Sequence, residues 1–132
     1  MKYYFSKVLD NVSYQDAIEL VSEALKKEGF GILTQIDVKD TLKKKIDVDF
    51  RNYIILGACN PHFAHKALLA EGKLGAFLPC NVVVEELDNG SIEVSIVDPA
   101  VMMSSIENKS LERLAEDVRS KLQNVLSDLS SR

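Results

Sequence analysis

Apolar residues recur along this chain at two spacings, and the spacing separates predicted helices from predicted strands. Helical spacing predicts an amphipathic helix over residues 13–28, in which Ser13 is a suitable N-terminal cap and Gly29 a suitable stop. The same spacing predicts a short helix over 38–46 and a long helix over 107–129. Each of these helices has an apolar face, which must be buried against a second layer of structure.

Short runs rich in β-branched and aromatic residues predict the strands. From the N-terminus, these runs cover residues 2–9, 31–37, 53–58, 81–87 and 92–96. The run at 53–58 is almost wholly apolar, which is typical of a central strand covered on both faces. Asp88-Asn89-Gly90 is a strong turn signal, and it joins the last two strands into a hairpin.

A further helix, of about ten residues, is predicted to begin at Pro61, directly after Asn60 as its cap. The order of elements is therefore strand, helix, four strands with two short helical insertions, and a long helix. This order predicts an α+β fold with a single antiparallel sheet in β-α-β(4)-α order, and with the long C-terminal helix packed on the sheet. The chain lacks repeats and linkers, so residues 1–132 are expected to form a single domain.

Charge and sheet packing set the expected partners. The second face of such a sheet would need cover from another subunit if its apolar residues were exposed, so a homodimer is expected. The net charge is −4 and the pI is near 5.2. Nucleic acids and anionic membranes are held by clustered Lys and Arg, so neither is an expected partner. The lysine run 43–45 is interpreted as a solvated helix face, because nearby aspartates offset its charge.

The cellular compartment bears on the two cysteines, Cys59 and Cys80. The N-terminus lacks the apolar stretch and the small-residue cleavage site of a signal peptide, and no run reaches membrane-spanning length. We therefore expect a cytoplasmic protein. Thiols are kept reduced there, so these cysteines are expected to be free, catalytic or metal-binding rather than joined in a permanent disulfide.

Two near-mirrored tripeptides hold the cysteines: Cys59-Asn60-Pro61 follows one apolar run, and Pro79-Cys80-Asn81 opens the next. If these strands pair antiparallel, both cysteines lie at the same end of the sheet, and the hairpin returns Asp98 to that end. The pattern predicts one rim of candidate ligand-binding residues, namely Cys59, Asn60, Cys80, Asn81 and Asp98. The cysteines stand 21 positions apart. This spacing is too long for a CxxC redox motif, and two cysteines leave a zinc site two ligands short.

Each rim residue has a functional and a structural interpretation. Cys59 is either a thiol activated by the start of the following helix or a small buried apolar residue. Asn60 is explained by capping, whereas Asn81 either satisfies a backbone group or presents its amide to a ligand. Asp98 is more typical of a turn or helix cap than of a catalytic acid. His62 is a candidate metal ligand beside the two cysteines, although a surface histidine is the default interpretation.

Three functions are compatible with these residues. The first is a binding module whose cysteine rim holds a soft or transition metal or a small ligand. The second is a structural or protein-interaction homodimer, in which the motif packs a strand-helix corner. The third is a thiol-dependent redox or nucleophilic enzyme, for which His62 is the only base close in sequence. Dinucleotide, phosphate-loop, zinc-protease and nucleophile-elbow motifs are absent from the sequence, which argues against nucleotide binding and common hydrolases.

The cysteine motif also resembles a family signature. The segments Gly57 through Pro61, then Ala64 through Glu71, then Leu78 through Val84, with Asp98-Pro99, are similar to the domain of unknown function 302 family of small prokaryotic proteins. The resemblance covers nearly the whole chain. It implies a fold similar to one repeat of the TATA-box-binding protein, although a shared fold implies no DNA binding. It also implies that the two Cys-Asn pairs belong to the family motif, without supplying their role.

Overall fold

Five antiparallel strands form one sheet in the computed structural model, which describes residues 2–130. The strands are β1 (Tyr4–Leu9), β2 (Gly31–Asp37), β3 (Tyr53–Cys59), β4 (Cys80–Glu86) and β5 (Ile92–Val97). Their order across the sheet is β1-β5-β4-β3-β2, so β4 is central and β1 and β2 are the edges. The apolar run of residues 53–58 forms β3, which pairs with β2 on one side and with β4 on the other.

Helices connect these strands. Within the described residues they are α1 (Tyr14–Lys27), α2 (Val38–Ile46), α3 (Pro61–Ala70), α4 (Pro99–Met102) and α5 (Lys109–Asp128), and a 3-10 turn covers Leu74–Phe77. The predicted α+β fold, with a single antiparallel sheet and a long C-terminal helix, is confirmed. Helix α4 was not predicted, because four residues are too few to show a helical period.

The sheet has two different faces, because successive side chains of a strand point to opposite sides. On the inner face, Leu56, Val82 and Ile96 are fully buried beneath α1 and α5. The opposite face, called the open face below, carries partly exposed residues, and Glu93 and Ser95 lie there among apolar side chains. The open face is therefore mixed in character rather than uniformly apolar.

Helix α5 covers two separate apolar clusters. Its C-terminal half buries Leu122 and Val125 against the inner face of the sheet. Its N-terminal half buries Leu111 and Ala115 in a second cluster, together with Ala67 of α3. The predicted packing on the sheet thus holds for the second half of the helix. Neither α5 nor any other helix in the described residues is long and apolar enough to cross a membrane.

The stretch from residue 31 to residue 53 contributes no buried residue, although it contains β2 and α2. Asp37, the last residue of β2, caps α2: its side chain accepts the backbone N–H of Asp40 at 2.9 Å. Lys43 and Lys44 form exposed ion pairs with aspartates of the same stretch, so the lysine run is the solvated face that was predicted. Backbone pairing with β3 and the packing of Ile32 against the edge of the core hold β2 in place.

Candidate functional site

A small cavity lies where the paired ends of β3 and β4 meet α3 and α5. Its volume is about 40 Å³. The lining is apolar apart from two cysteines and one asparagine. The lining residues are Phe30, Ala58, Cys59, Asn60, Phe63, Ala64, Ala67, Leu78, Pro79, Cys80, Met103, Leu111, Leu114, Ala115 and Val118. Cys59, Phe63 and Leu78 are partly exposed, so this side of the cavity lies next to solvent.

The register of β3 and β4 brings both cysteines to this cavity. Ala58 lies opposite Cys80, so β3 ends at Cys59 where β4 begins at Cys80. The Cys80 side chain is buried, whereas Cys59 is partly exposed, and both are free cysteines. Both cysteines therefore lie at one end of the sheet, without a disulfide between them.

Burial keeps the two thiols protonated. It raises the pKa of Cys59. For Cys80, burial is the larger cause and the negative charge of a Cys59 thiolate is the smaller one. Together they raise the pKa of Cys80 to about 11. An activated nucleophile needs a lowered pKa instead. Burial therefore acts against activation of the Cys59 thiol by the start of α3, because it raises rather than lowers the pKa.

The buried Cys80 thiol should make stability depend on pH in the alkaline range. The folded protein holds this proton to a pKa of about 11, above the ordinary value of 9.0. The resulting stabilisation is complete below about pH 9 and is lost as the pH rises toward about 11. We expect the free energy of unfolding to fall by about 2–3 kcal/mol over that interval from this thiol. Urea unfolding of reduced wild type and Cys80→Ala measures it, and equal pH slopes in the two proteins would contradict it.

Asn60 caps α3, as predicted, and it also holds the end of α1. Its Oδ1 accepts the N–H of Phe63 at 3.4 Å, and its Nδ2 donates to the carbonyl oxygen of Glu28 at 3.4 Å. Gly29 lies against the same amide: a Cβ at this position would stand 3.0 Å from Nδ2, and its φ of +85° favours glycine. Both ends of the Asn60 amide thus have backbone partners, which join the end of one helix to the start of another.

Asn81 lies outside the cavity. It is paired with Gly57, whereas Cys80 is paired with Ala58, so the two neighbours in β4 point to opposite faces of the sheet. The Asn81 side chain is exposed and borders a shallow depression on the open face. The predicted rim is therefore divided between the two faces of the sheet.

Asp98 is buried and makes structural contacts with both carboxylate oxygens. Its Oδ1 accepts the N–H groups of Ala100 at 3.0 Å and Val101 at 3.4 Å, which caps α4. Its Oδ2 accepts from Arg119 Nε at 3.1 Å. The interpretation as a helix cap is confirmed, and Asp98 is not part of the cavity lining.

His62 is exposed on α3 and is not part of the cavity lining either. Across residues 2–130, no group of three or more His, Cys, Asp and Glu side chains is arranged to hold a metal ion. A metal at the two cysteines would therefore lack a third ligand from these residue types in the described part of the chain.

Comparison with known proteins shows which family the chain is similar to. The model of the family "Domain of unknown function DUF302" matches residues 5–129. The chain belongs to this family. A crystal structure of an uncharacterized conserved DUF302 protein from Bacillus stearothermophilus is similar, with a TM-score of 0.89 and 29% identity over 97% of this chain and 98% of that one. An uncharacterized protein from Aquifex aeolicus (strain VF5) is 25% identical over 97 residues, which are 74% of this chain and 61% of that relative's length.

Much of the cavity lining in this DUF302 protein comes from helix residues that were not predicted as site residues. Ala67 of α3 faces it, as do Leu111 and Ala115 of α5. The helical spacing of these residues is visible in the sequence, but spacing does not say which layer they meet. Small alanine side chains on two facing helices leave the open volume, and only the packing of α3 against α5 brings them together.

Proposed function

We propose that this protein binds a small, neutral, largely apolar ligand in the cavity beside Cys59 and Cys80. The observation that carries the proposal is one cavity whose lining holds two free cysteines and Asn60 among otherwise apolar residues. Ligand pockets are mostly apolar, with a few polar groups that fix the orientation of the ligand. Thiols supply weak hydrogen-bond donors and polarizable contacts, which suit a sulfur-containing or similarly soft ligand. Free thiols also favour a cytoplasmic location for this activity.

The volume of the cavity limits the ligand. The cavity measures about 40 Å³, whereas one water occupies about 10–15 Å³ by the same measure. It therefore suits about three or four non-hydrogen atoms, or the end of a longer molecule that enters beside Cys59. No Lys, Arg, Asp or Glu belongs to the lining that the described residues provide, so a charged ligand would be left unpaired.

The same lining gives less support to a metal site or an enzyme. Two thiolates suffice for a linear soft cation, but burial favours the protonated thiols, and both protons must leave before a metal binds. A nucleophilic cysteine needs a base within reach. His62 is outside the lining, and the described lining residues include no other ionisable base.

NMR of the reduced protein, with xenon and dimethyl sulfide as the probes, tests the proposal. Binding should shift the methyl signals of Ala67 and Ala115, which line the cavity, at lower probe concentrations than those of Ala76, which does not line it. Ala115→Val narrows the cavity, so it should weaken binding of both probes by about tenfold or more. Ala76→Val is the matched control, because Ala76 is exposed and lies in the 3-10 turn.

Two results would contradict the proposal. One is the absence of shifts at the Ala67 and Ala115 methyls with either probe, and the other is equal affinity in Ala115→Val and wild type. Native mass spectrometry with copper(I) separates the metal alternative. A copper adduct that Cys59→Ser and Cys80→Ser each abolish, in a protein that binds neither apolar probe, would replace the proposed ligand with a metal.

A further inference from the structure

The stretch 31–53, which holds β2 and α2, carries four exposed large apolar side chains: Leu33, Ile36, Ile46 and Val48. None of its residues is buried. Leu33 is 67% exposed, Ile36 49% and Ile46 64%. An isolated nine-residue helix is marginal in water, and in the single chain α2 is only partly covered: Val38 and Leu42 are half-buried, and none of its residues is fully buried. Exposed apolar side chains grouped in this way are typical of a surface that a partner covers.

The free edge of β2 can form backbone hydrogen bonds with a strand of a partner. Within the described residues, β2 is hydrogen-bonded to β3 on one side and ends the sheet on the other. Exposed edges are usually protected by lysine, proline or inward-pointing charges. β2 contains no lysine or proline, and its one charged residue, Asp37, is already used to cap α2. The irregularity between Ile32 and Thr34 leaves the second half of the strand, Thr34–Asp37, in regular pairing.

We propose that the free edge of β2 pairs antiparallel with the same edge of a second copy of this chain, which gives a two-fold dimer with one continuous ten-stranded sheet. Charge favours a second copy over an unrelated acidic or basic partner. The whole chain carries a net charge of −4, but residues 31–53 contain four lysines, one arginine and four aspartates, a net charge of only +1. Two copies therefore meet at this stretch with less repulsion than their more acidic surfaces would produce.

The symmetry of the strand supports the same partner. A two-fold axis near Gln35 sets Ile36 of one copy opposite Thr34 of the other, and Asp37 opposite Leu33, so no like charges face each other. The second copy covers the exposed apolar residues of β2 and α2, and it completes the hydrogen bonding of the edge.

Sedimentation equilibrium of the reduced full chain tests the proposal. The wild type should be a dimer, and Ile36→Lys or Leu33→Lys should raise the dissociation constant by at least about tenfold, because the symmetry places each charge in the interface twice. Val8→Lys is the matched control: Val8 lies on the other edge strand, is 48% exposed, and differs little from Ile36 in shape. Hydrogen exchange should show slowed backbone N–H groups over residues 31–37 in the wild type and faster exchange in Ile36→Lys.

Three results would overturn it: a monomeric wild type, a dimer that both lysine variants leave unchanged, or a dimer that Val8→Lys disrupts to the same extent as Ile36→Lys. Circular dichroism and thermal unfolding of each variant check that it is folded before its dimerisation is compared. The substituted side chains are exposed in the single chain, so loss of the dimer with retained structure reports on the interface itself.

Discussion

Replacing Gly57 by alanine is expected to lower the free energy of unfolding by about 1–3 kcal/mol, with the result near the upper end of that range. A Cβ at this position would stand 2.1 Å from Thr34 Oγ1 and 2.7 Å from Pro79 Cγ. The threonine hydroxyl lies on an edge strand and has room to rotate, but the proline ring is stiff. The added methyl group therefore forces a shift of the β4 entry, next to Cys80. Equilibrium urea unfolding measures the loss.

Gly75→Ala is the matched control for this prediction, because a Cβ at Gly75 would meet no atom within 4 Å. Thr34→Ala in the Gly57→Ala background removes the 2.1 Å contact but leaves the contact with the proline ring, so it should restore part of the loss. If Gly57→Ala unfolds at the same urea concentration as Gly75→Ala, the packing of Thr34 and Pro79 over Gly57 is not as the structure describes it.

Gly57 also shows which part of the family motif is explained by packing. The glycine admits two neighbouring side chains onto the open face, and Asn60 links α1 to α3 through backbone hydrogen bonds. These residues build the corner at which β3 meets α3. Cys59, Cys80 and Asn81 are left as motif residues whose chemistry the corner does not use. Only the two cysteines belong to the cavity lining, which is why the proposed ligand site is placed beside them.

Local signals in the sequence were sufficient for the fold. Helix α2 and strand β2 have the predicted bounds, because caps and periods are encoded by adjacent residues. The cap at Asn60 was predicted for the same reason. The register that brings Cys59 and Cys80 to one end of the sheet also followed from antiparallel pairing of neighbouring strands.

The predicted rim failed where it ignored the alternation of strand side chains. Cys80 and Asn81 are neighbours in sequence, so in a regular strand they point to opposite faces, and only Cys80 lines the cavity. Contacts between residues far apart in the sequence had no local signal. The contact of Asp98 with Arg119 spans 21 positions, and the wall supplied by Ala115 depends on how α5 crosses α3. Such contacts are set by tertiary packing, which neither composition nor spacing encodes.

Asp98→Ala should lower the free energy of unfolding by about 2–4 kcal/mol, because one carboxylate makes the cap of α4 and the ion pair with α5. The Asp98 side chain is 6% exposed, and Arg119 Nε donates to its Oδ2 at 3.1 Å. The Arg119 guanidinium also lies over the Phe5 ring, 5.2 Å from its centroid, so the pair ties α5 to β1. The Arg119 side chain is partly exposed, so in Asp98→Ala water can solvate its guanidinium and reduce the destabilisation.

Asp98→Asn and Asp40→Ala separate the contributions of charge, cap and burial. Asp98→Asn keeps an oxygen that accepts the backbone N–H of Ala100 but loses the charge that faces Arg119, so its effect should lie between wild type and Asp98→Ala. Asp40→Ala breaks an exposed ion pair with Lys44 and should cost less than about 1 kcal/mol. Equal losses in Asp98→Ala and Asp40→Ala would mean that the buried pair contributes no more than a surface one. A much larger loss in Asp98→Ala would mean that the buried pair, which links α4, α5 and β1 through Arg119, contributes more to stability than an exposed pair.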